Sequence, residues 1–469
     1  MTTVEAPPQG SSSGCADEDH PLRAGVDRFG LLVAVTVAVA LTVVSTMRHQ
    51  NYWSGGLDLG VFDQGVWLLS RGLSPEVTVN GRNLFADHLS PVLFLFVPLY
   101  RLGATPVWLF AAQGLALGGT VLPMRALARH EGSPDWVATL LVALGAPLMA
   151  AAVFDFHPST LAVPFVAWTL LESRRGNVGR ATIAASLVLV CRAELGWLLI
   201  GIAIVAAPNV RRRLLALAPL GVVAGFAVPA LLGARGTFTV HYGHLGSTAS
   251  DAALHPWRLV IALLRVETLQ KALLWLLPVA FLPLRRPRWL AALAVASAPI
   301  LFSRWPGTSL PWFHYGAPLF PIAAGGALVA LGERQRPPWL DGRLLVAATA
   351  ISLAVMSPLS PKAPESVRAS AVVRPQHGQA IRTAVSRVRS GEPVAAANRA
   401  LAHLTHRRQA WLLPAPFAAG DVPGLSVRPS RRAGRGVRTI IAVSTQDRRR
   451  ARFLGFRGQV TGGVFFGRR

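Results

Sequence analysis

Long apolar segments, separated by short stretches rich in arginine, dominate the pattern of hydrophobic and polar positions along this chain. The first such segment, 29–47, holds nineteen residues without a charged side chain. A helix of about 20 residues, rising 1.5 Å per residue, crosses the roughly 30 Å hydrocarbon core of a bilayer. Hydrophobic residues make up 52% and charged residues 15% of the chain, whereas a soluble protein carries more charge. The pattern predicts a polytopic α-helical membrane protein.

The arginine clusters predict how the chain crosses the membrane, because positive residues collect in short cytoplasmic loops. With all these clusters on the cytoplasmic side, we expect about 11 transmembrane helices. The protein would lie in a plasma or inner membrane, with its N-terminus in the cytoplasm and its C-terminus outside. Segment 89–103 contains Pro91 and Pro98, and we expect it to be re-entrant or to lie in the outer interface. The predicted helices are 29–47, 105–124, 136–153, 159–173, 181–192, 194–208, 214–233, 268–284, 289–303, 317–332 and 343–359.

Three regions follow from this pattern. Residues 1–28 are polar and predict a disordered cytoplasmic segment, and residues 29–359 form the transmembrane region. In residues 360–469 the apolar runs become short and alternate with turns, which predicts a small extracytoplasmic α/β domain. This last region contains 21 basic and 4 acidic residues. Its charge suits an anionic envelope polymer, or simply a solvated surface. We expect no nucleic-acid binding, because no zinc or aromatic-interleaved pattern accompanies the charge.

Polar groups that interrupt the apolar pattern are the candidate functional residues, since charged groups at membrane depth are costly and usually functional. All of them are predicted on the outer side. Asp58 and Asp63 lie five positions apart in the first outer loop, so they would not share one face of a helix. Either could instead cap a short helix.

Later segments add further pairs of polar residues. Their ordinary interpretations are helix caps, interfacial turns and, for Arg192 with Glu194, mutual neutralisation. The pairs are Asp87 with His88, Asp155 with His157, Arg192 with Glu194, and His314 with Tyr315.

These motifs, in this order, resemble a bacterial family of predicted membrane proteins, the domain of unknown function 2079. The resemblance covers most of residues 30–415. The matching segments are LDLGVFDQGVW (57–67), DHLSPVLFLFVPLY (87–100), FDFHPSTLAVPF (154–165), CRAELGW (191–197), FHYGAPLFP (313–321) and VAAANRALAHLTHRRQAWLLP (394–414).

That family in turn is similar to the GT-C glycosyltransferases, polytopic enzymes with a catalytic carboxylate in the first outer loop and a polyprenyl-phosphate sugar as donor. The resemblance implies Asp58 as the general base. The adjacent acidic pair of many GT-C enzymes is absent here, so Asp63 is the alternative. The other polar residues are candidates for substrate binding, with Arg192, His157 and His314 expected near the leaving phosphate.

Other functions fit the same pattern. A divalent metal (Mg or Mn) held by Asp58, Asp155 and His157 would assist transfer. A transporter or flippase of lipid-linked precursors would also use Arg192 and Glu194 within the membrane. A non-catalytic envelope-assembly scaffold would use its C-terminal region to recruit partners.

Overall fold

The computed structural model describes residues 27–234, 237–333, 341–358, 360–364, 372–417 and 431–469. The segment predicted to be disordered is 1–28, and its residues 1–26 lie outside the described residues. The described chain forms a bundle of helices with a small mixed sheet at one end.

The bundle is built from helices of very different length, several of them broken by proline or glycine. Short 3₁₀ or π-helical turns join some of them, and a two-residue hairpin of β1 (Glu76–Val77) and β2 (Arg82–Asn83) follows the second helix. The helices are α1 (Arg28–Gln50), α2 (Val61–Ser70), α3 (Leu84–Asp87), α4 (Val97–Leu102), α5 (Val107–Gly119), α6 (Val121–His130), α7 (Asp135–Ala143), α8 (Ala146–Val153), α9 (Pro158–Leu161), α10 (Val163–Arg174), α11 (Val178–Cys191), α12 (Gly196–Val205), α13 (Pro208–Leu231), α14 (Thr237–Tyr242), α15 (Ala249–Leu254), α16 (Trp257–Leu263), α17 (Val266–Leu276), α18 (Pro287–Leu301), α19 (Phe320–Leu331) and α20 (Gly342–Met356).

Within the described residues, five helical segments are long and apolar enough to cross a membrane. Five more apolar segments are 10–17 residues long, and the number of crossings, 11, stays a prediction. The five long segments are Arg28–Gln50, Val107–His130, Asp135–Val153, Pro208–Leu231 and His314–Leu331.

One predicted span, 268–284, departs from a continuous helix. Helix α17 ends at Leu276, and 3₁₀ turns follow it. Pro278 and Pro283 lie in these turns, where each removes a backbone N–H donor. Ala280 and Phe281 between them adopt left-handed backbone angles. The apolar pattern predicted a helix here because hydropathy alone does not register these breaks.

Helix α1 has one exposed apolar face and one face that packs on the rest of the bundle. Val35, Val39 and Val43 on one face are exposed, as expected of side chains that face acyl tails. On the other face α1 packs closely on α5. A Cβ added at Gly118 would lie 2.4 Å from the carbonyl oxygen of Ala34. Small residues at this contact let the two backbones approach, as is usual between helices in membranes.

Charged groups form two layers at opposite ends of α1. Near its first residue, Arg125 binds Asp27 and Asp135, each at 2.7 Å. Near its last turn, Arg48 binds Asp155. A helix of 23 residues places these layers roughly 35 Å apart. We call them the Arg125 end and the Asp155 end of the bundle.

The sheet lies at the Asp155 end. Among the described residues its strand order is β4-β3-β5-β7-β6; β3 pairs in parallel with β4 and β5, and β7 pairs antiparallel with β5 and β6. Its elements are α21 (Gly378–Ser386), β3 (Val394–Ala396), α22 (Asn398–Leu401), β4 (Ala410–Leu412), α23 (Arg431–Gly436), β5 (Thr439–Ala442), α24 (Thr445–Phe453), β6 (Arg457–Thr461) and β7 (Val464–Arg468).

Alternate residues of the central strands belong to two different cores, as the twofold period of a strand requires. Val394, Ala396 and Ile441 pack into the core that runs through the helices. Ala395 and Ile440 pack into a separate cluster on the other face of the sheet. The sheet is therefore seated on the bundle through one apolar face and fixed directly above the loops at the Asp155 end.

Candidate functional site

Asp58 lies in a single π-helical turn, Gly56–Gly60, a rare conformation that is common at functional sites. The backbone before it is held from one side by Asp155, whose carboxylate accepts the Gly55 N–H at 2.7 Å. The Asp58 side chain itself is 33% accessible. The backbone that carries Asp58 is therefore held in place, and its carboxylate is open to a substrate.

The same turn is also held by the C-terminal region. The N–H of Leu57 donates to Asn398 Oδ1 of α22 at 2.9 Å. A Cβ added at Gly56 would lie 2.9 Å from the side chain of Leu401, so only glycine allows this approach. Asn398 was not among the predicted site residues, although it lies inside the family-like segment 394–414.

Asp155 is an anchor inside the protein. It pairs with Arg48, and both side chains are less than one-tenth exposed. Arg48 also donates to the carbonyl oxygens of Trp53, at 3.0 Å, and Phe154, at 2.8 Å. Sequence analysis missed Arg48, whose only signal is a charge one position after the predicted first span.

His157 faces Asp58, with its Nε2 4.0 Å from Asp58 Oδ1. Burial and the charge of Asp155 raise the pKa of Asp58 to about 7, against the opposing effect of Arg48. Burial, together with the charges of Arg192 and His88, lowers the pKa of His157 to about 3, against the opposing effect of its hydrogen bond to the Asp155 backbone. A neutral imidazole thus lies beside a carboxyl group that exchanges its proton near neutral pH.

Aromatic rings from positions 313–315 pack against Phe154 and His157. The rings of His157 and His314 are stacked with centroids 3.6 Å apart, and Tyr315 lies 4.3 Å from His314. Phe154 packs on Phe313 with centroids 4.5 Å apart. The predicted pairs around 155–157 and 314–315 are therefore neighbours in space.

A second charged cluster joins His88, Arg192 and Glu194. Glu194 lies 2.7 Å from His88 Nδ1 and 2.8 Å from Arg192 Nε, and Arg192 Nη2 lies 3.0 Å from His88 Nδ1. Arg192 and Glu194 do neutralise each other, as their ordinary interpretation has it, but His88 shares the interaction. Asp87 is 31% accessible and lies 3.9 Å from Arg82.

Asp63 has a different environment from Asp58. Its carboxylate is 1% exposed and accepts hydrogen bonds from Tyr100, at 2.6 Å, and from Thr405, with His406 Nε2 3.1 Å away. Burial raises the pKa of Asp63, but His406 and these hydrogen bonds lower it overall. Burial in turn lowers the pKa of His406, and Asp63 raises it overall. Asp63 thus ties α2 to the C-terminal region.

The predicted divalent-metal ligands do not form a ligand set. Within the described residues, no three His, Cys, Asp or Glu side chains form a group that could hold a metal ion. The two oxygens of Asp155 are engaged by Arg48 and the Gly55 N–H. A divalent metal at Asp58, Asp155 and His157 therefore stays a prediction, and we assign no step to one.

Comparison with solved structures supports a GT-C-like fold. The chain is similar to ArnT from Cupriavidus metallidurans bound to undecaprenyl phosphate, with a TM-score of 0.51 and 14% identity. The apo state of the same protein gives a TM-score of 0.52 and 14% identity. Each match covers 93% of this chain and 97% of the other. At this identity the likeness establishes the fold alone.

No curated protein sequence matches the chain significantly. The family model described as "Predicted membrane protein (DUF2079)" matches residues 48–423. These include the Asp58 turn, the cluster of His88, Arg192 and Glu194, and the part of the C-terminal region that contacts the Asp58 turn and Asp63. The resemblance expected from the sequence motifs is thereby confirmed, and the chain belongs to the DUF2079 family of predicted membrane proteins.

Proposed function

We propose that this protein is a GT-C-like glycosyltransferase that moves a sugar from a polyprenyl-phosphate donor to an acceptor at the extracytoplasmic face. The observation that carries the proposal is the accessible Asp58 carboxylate beside His157 at one end of the bundle. The fold shared with ArnT, whose structure contains undecaprenyl phosphate, supports a lipid phosphate as the carrier.

Asp58 acts as the general base. Its carboxylate takes the proton of the acceptor hydroxyl while that oxygen attacks the anomeric carbon of the donor. The bond between this carbon and the phosphate oxygen breaks, and its electron pair leaves with the lipid phosphate. One displacement inverts the anomeric centre. A pKa of about 7 for Asp58 suits a base that works at neutral pH.

The leaving phosphate needs donors that are already in position. Arg192 supplies a guanidinium that is fixed by Glu194 and His88. His314 is the candidate for a further donor, because its Nδ1 has no hydrogen-bond partner among the described residues. His157 Nδ1 lies 3.1 Å from the carbonyl oxygen of Asp155 and donates to it, so His157 keeps its ring in place beside Asp58. Such preorganised donors stabilise the charge that develops on the leaving group.

The polar groups also favour an enzyme over a transporter. A transporter needs a polar path through the middle of the membrane. Asp58, His157 and the Arg192 cluster gather instead around the loops at the Asp155 end. Arginines such as Arg125 lie at the opposite end, which supports a cytoplasmic position for that end. The basic sheet region would then face the envelope, with an anionic polymer as its predicted partner.

The test replaces Asp58 with Asn in the producing organism. Mass spectrometry of envelope glycans and lipid-linked sugars is expected to show a missing sugar and an accumulated polyprenyl-phosphate donor. The matched control is Glu267→Gln, which neutralises an exposed carboxylate on α17. Unchanged glycans at normal D58N protein levels would remove Asp58 as the base.

A further inference from the structure

His241, near the end of α14, lies beside the Arg192 cluster. Burial, together with the charges of His88, Arg192 and Lys271, lowers the pKa of His241 to about 4. Burial raises the pKa of the next residue, Tyr242, to about 12, against the opposing effect of Arg192. Both side chains are therefore near enough to Arg192 to respond to its charge, and the imidazole of His241 is neutral at pH 7.

The ring of His241 also borders the aromatic side chains of the candidate site. Its centroid lies 6.0 Å from that of Trp305. Trp305 in turn neighbours Tyr315, because a Cβ added at Gly307 would lie 3.0 Å from Trp305 Nε1 and 3.2 Å from Tyr315 Cε2. The Tyr315 ring lies 4.3 Å from that of His314. The site thus extends beyond His314 as far as His241.

Ser303 fixes the orientation of the His241 ring. The ring atom Nδ1 lies 2.8 Å from Ser303 Oγ, and the His241 carbonyl oxygen accepts the N–H of Arg304 at 2.8 Å. Ser303 is itself buried and is held by Lys271, whose Nζ donates to the carbonyl oxygens of Ser303, at 2.5 Å, and Ile300, at 3.1 Å. The imidazole is therefore held in place from two sides, through its ring and through its backbone.

The same contact determines which ring nitrogen carries the proton. Ser303 Oγ accepts the N–H of Trp305 at 3.1 Å. Among the described residues, the acceptor within reach of the Ser303 hydroxyl hydrogen is Nδ1 of His241. A buried hydroxyl normally donates to a partner, so Nδ1 is an acceptor here. The proton of the neutral imidazole is then on Nε2.

Nε2 of His241 is open to a ligand. It has no hydrogen-bond partner among the described residues, and it is not one of their enclosed polar atoms. The surroundings favour an anion, because Lys271 is 2% exposed and its partners among the described residues are carbonyl oxygens, which carry no full charge. A buried cation without a paired carboxylate attracts an anionic group to the space nearby.

We propose that His241 is a further phosphate-binding residue, which donates a hydrogen bond from Nε2 to the phosphate of the polyprenyl carrier beside Arg192. The identity of this ligand rests on the proposed function. A neutral N–H donor suits a leaving phosphate, since its hydrogen bond strengthens as negative charge develops and no proton needs to move. Ser303 and Lys271 act as positioning residues that hold the ring.

The test measures how undecaprenyl phosphate, the lipid bound in the ArnT structure, binds to the full chain in phosphatidylcholine nanodiscs. Native mass spectrometry counts the bound lipid as its concentration is raised. Undecaprenol, which has the same chain and no phosphate, is the comparison ligand, and inorganic phosphate is the competitor. The parent protein is expected to prefer undecaprenyl phosphate to undecaprenol and to keep it when an equal concentration of inorganic phosphate is added.

The variant His241→Phe keeps a ring beside Trp305 and removes both nitrogens. It should weaken binding of undecaprenyl phosphate about tenfold or more, as expected for a lost hydrogen bond to a charged group, and leave binding of undecaprenol unchanged. His241→Gln places an N–H near the position of Nε2 and should bind within about threefold of the parent protein, because it keeps most of this hydrogen bond.

The matched control is His130→Phe, because His130 is exposed at the Arg125 end, and it should bind both lipids like the parent protein. If H241F does not fold, His241→Asn tests the same loss, since its shorter side chain cannot place an N–H where Nε2 lies.

The proposal is overturned if H241F and H241N bind undecaprenyl phosphate like the parent protein, if they weaken undecaprenol binding equally, or if inorganic phosphate displaces the lipid. Binding of this lipid requires no transfer, so D58N separates the two proposals. It should abolish glycosyl transfer and keep the affinity for undecaprenyl phosphate. Unchanged glycans in D58N would contradict the proposed transfer alone.

Discussion

His406 Nε2 lies 3.1 Å from the buried carboxylate of Asp63, which joins the C-terminal region to the first loop of the bundle across 343 positions of sequence. Thr405 donates to the same carboxylate. Gln64, the next residue after Asp63, donates to the carbonyl oxygen of Arg407 at 2.9 Å. The C-terminal region is thus held on the same short helix that follows the Asp58 turn.

The Asp63–His406 pair should make stability depend on pH. The lowered pKa of Asp63 gives stability that is present above the usual value for aspartate, about 4, and is lost as pH falls through the lowered value. The raised pKa of His406 gives stability that is present below the usual value for histidine, about 6.5, and is lost as pH rises through the raised value. His406→Asn should therefore cost about 2 kcal/mol near pH 6 and less at pH 9.

Thermal unfolding of purified protein at both pH values measures this difference. The control is His130→Asn, because His130 is an exposed residue at the Arg125 end. An equal loss of melting temperature at pH 6 and pH 9 for H406N would show that the pair carries no ionic stabilisation.

The proposed glycosyl transfer should depend on pH through Asp58. A general base works only when deprotonated, so the rate should rise with pH through about 7, the pKa of this carboxyl. D58N should lower the rate roughly 10²- to 10⁴-fold. The charge of Asp87 also raises the pKa of Asp58. In the variant Asp87→Asn the rate should therefore begin to rise at a lower pH.

The assay follows release of polyprenyl phosphate from lipid-linked sugars extracted from the producing organism. E267Q provides the control profile. A profile of the D87N variant that coincides with that of the parent protein would contradict the assignment of the rise to Asp58.

The sequence could predict the elements because each leaves a local pattern. Uninterrupted apolar residues predicted α1, and short apolar runs predicted β3, β4, β5 and β7. The exception in the C-terminal sheet is β6, whose residues are all exposed and therefore show no apolar alternation. The two-residue strands β1 and β2 were not predicted either.

Contacts between distant residues leave no such local pattern. Arg48 and Asp155 are 107 positions apart, and the partners of Asp63 lie 37 to 343 positions from it. Which aspartate is accessible and which is buried depends on these contacts. The spacing of Asp58 and Asp63 could therefore predict that two carboxylates lie in one loop, and not that they have different environments.

Asn398 should act as a positioning residue for Asp58. It accepts the Leu57 N–H at 2.9 Å and so holds the turn that presents the carboxylate. Asn398→Ala removes this acceptor, and small displacements of a catalytic group cost up to about 10²-fold in rate. We expect kcat to fall about tenfold or more with KM little changed.

Asn398→Asp keeps an acceptor oxygen and should restore most of the rate when assayed above pH 8, where Asp58 stays deprotonated despite the added charge. Equal kcat losses in N398A and N398D at that pH would contradict a positioning role for the acceptor oxygen.

Because α1 packs closely on α5, alanine should destabilise the protein at Gly118 and not at the neighbouring Gly119. A Cβ at Gly118 would lie 2.4 Å from the carbonyl oxygen of Ala34 and 3.1 Å from Cα of Ala38, so Gly118→Ala must push the two helices apart. Overpacking of this kind costs about 1–3 kcal/mol. A Cβ at Gly119 would meet no atom within 4 Å, so Gly119→Ala should keep or slightly raise stability, because alanine favours helix. The melting temperatures of the two variants are measured in the same detergent. Equal values for G118A and G119A would show that the backbones of α1 and α5 lie farther apart than the structure has them.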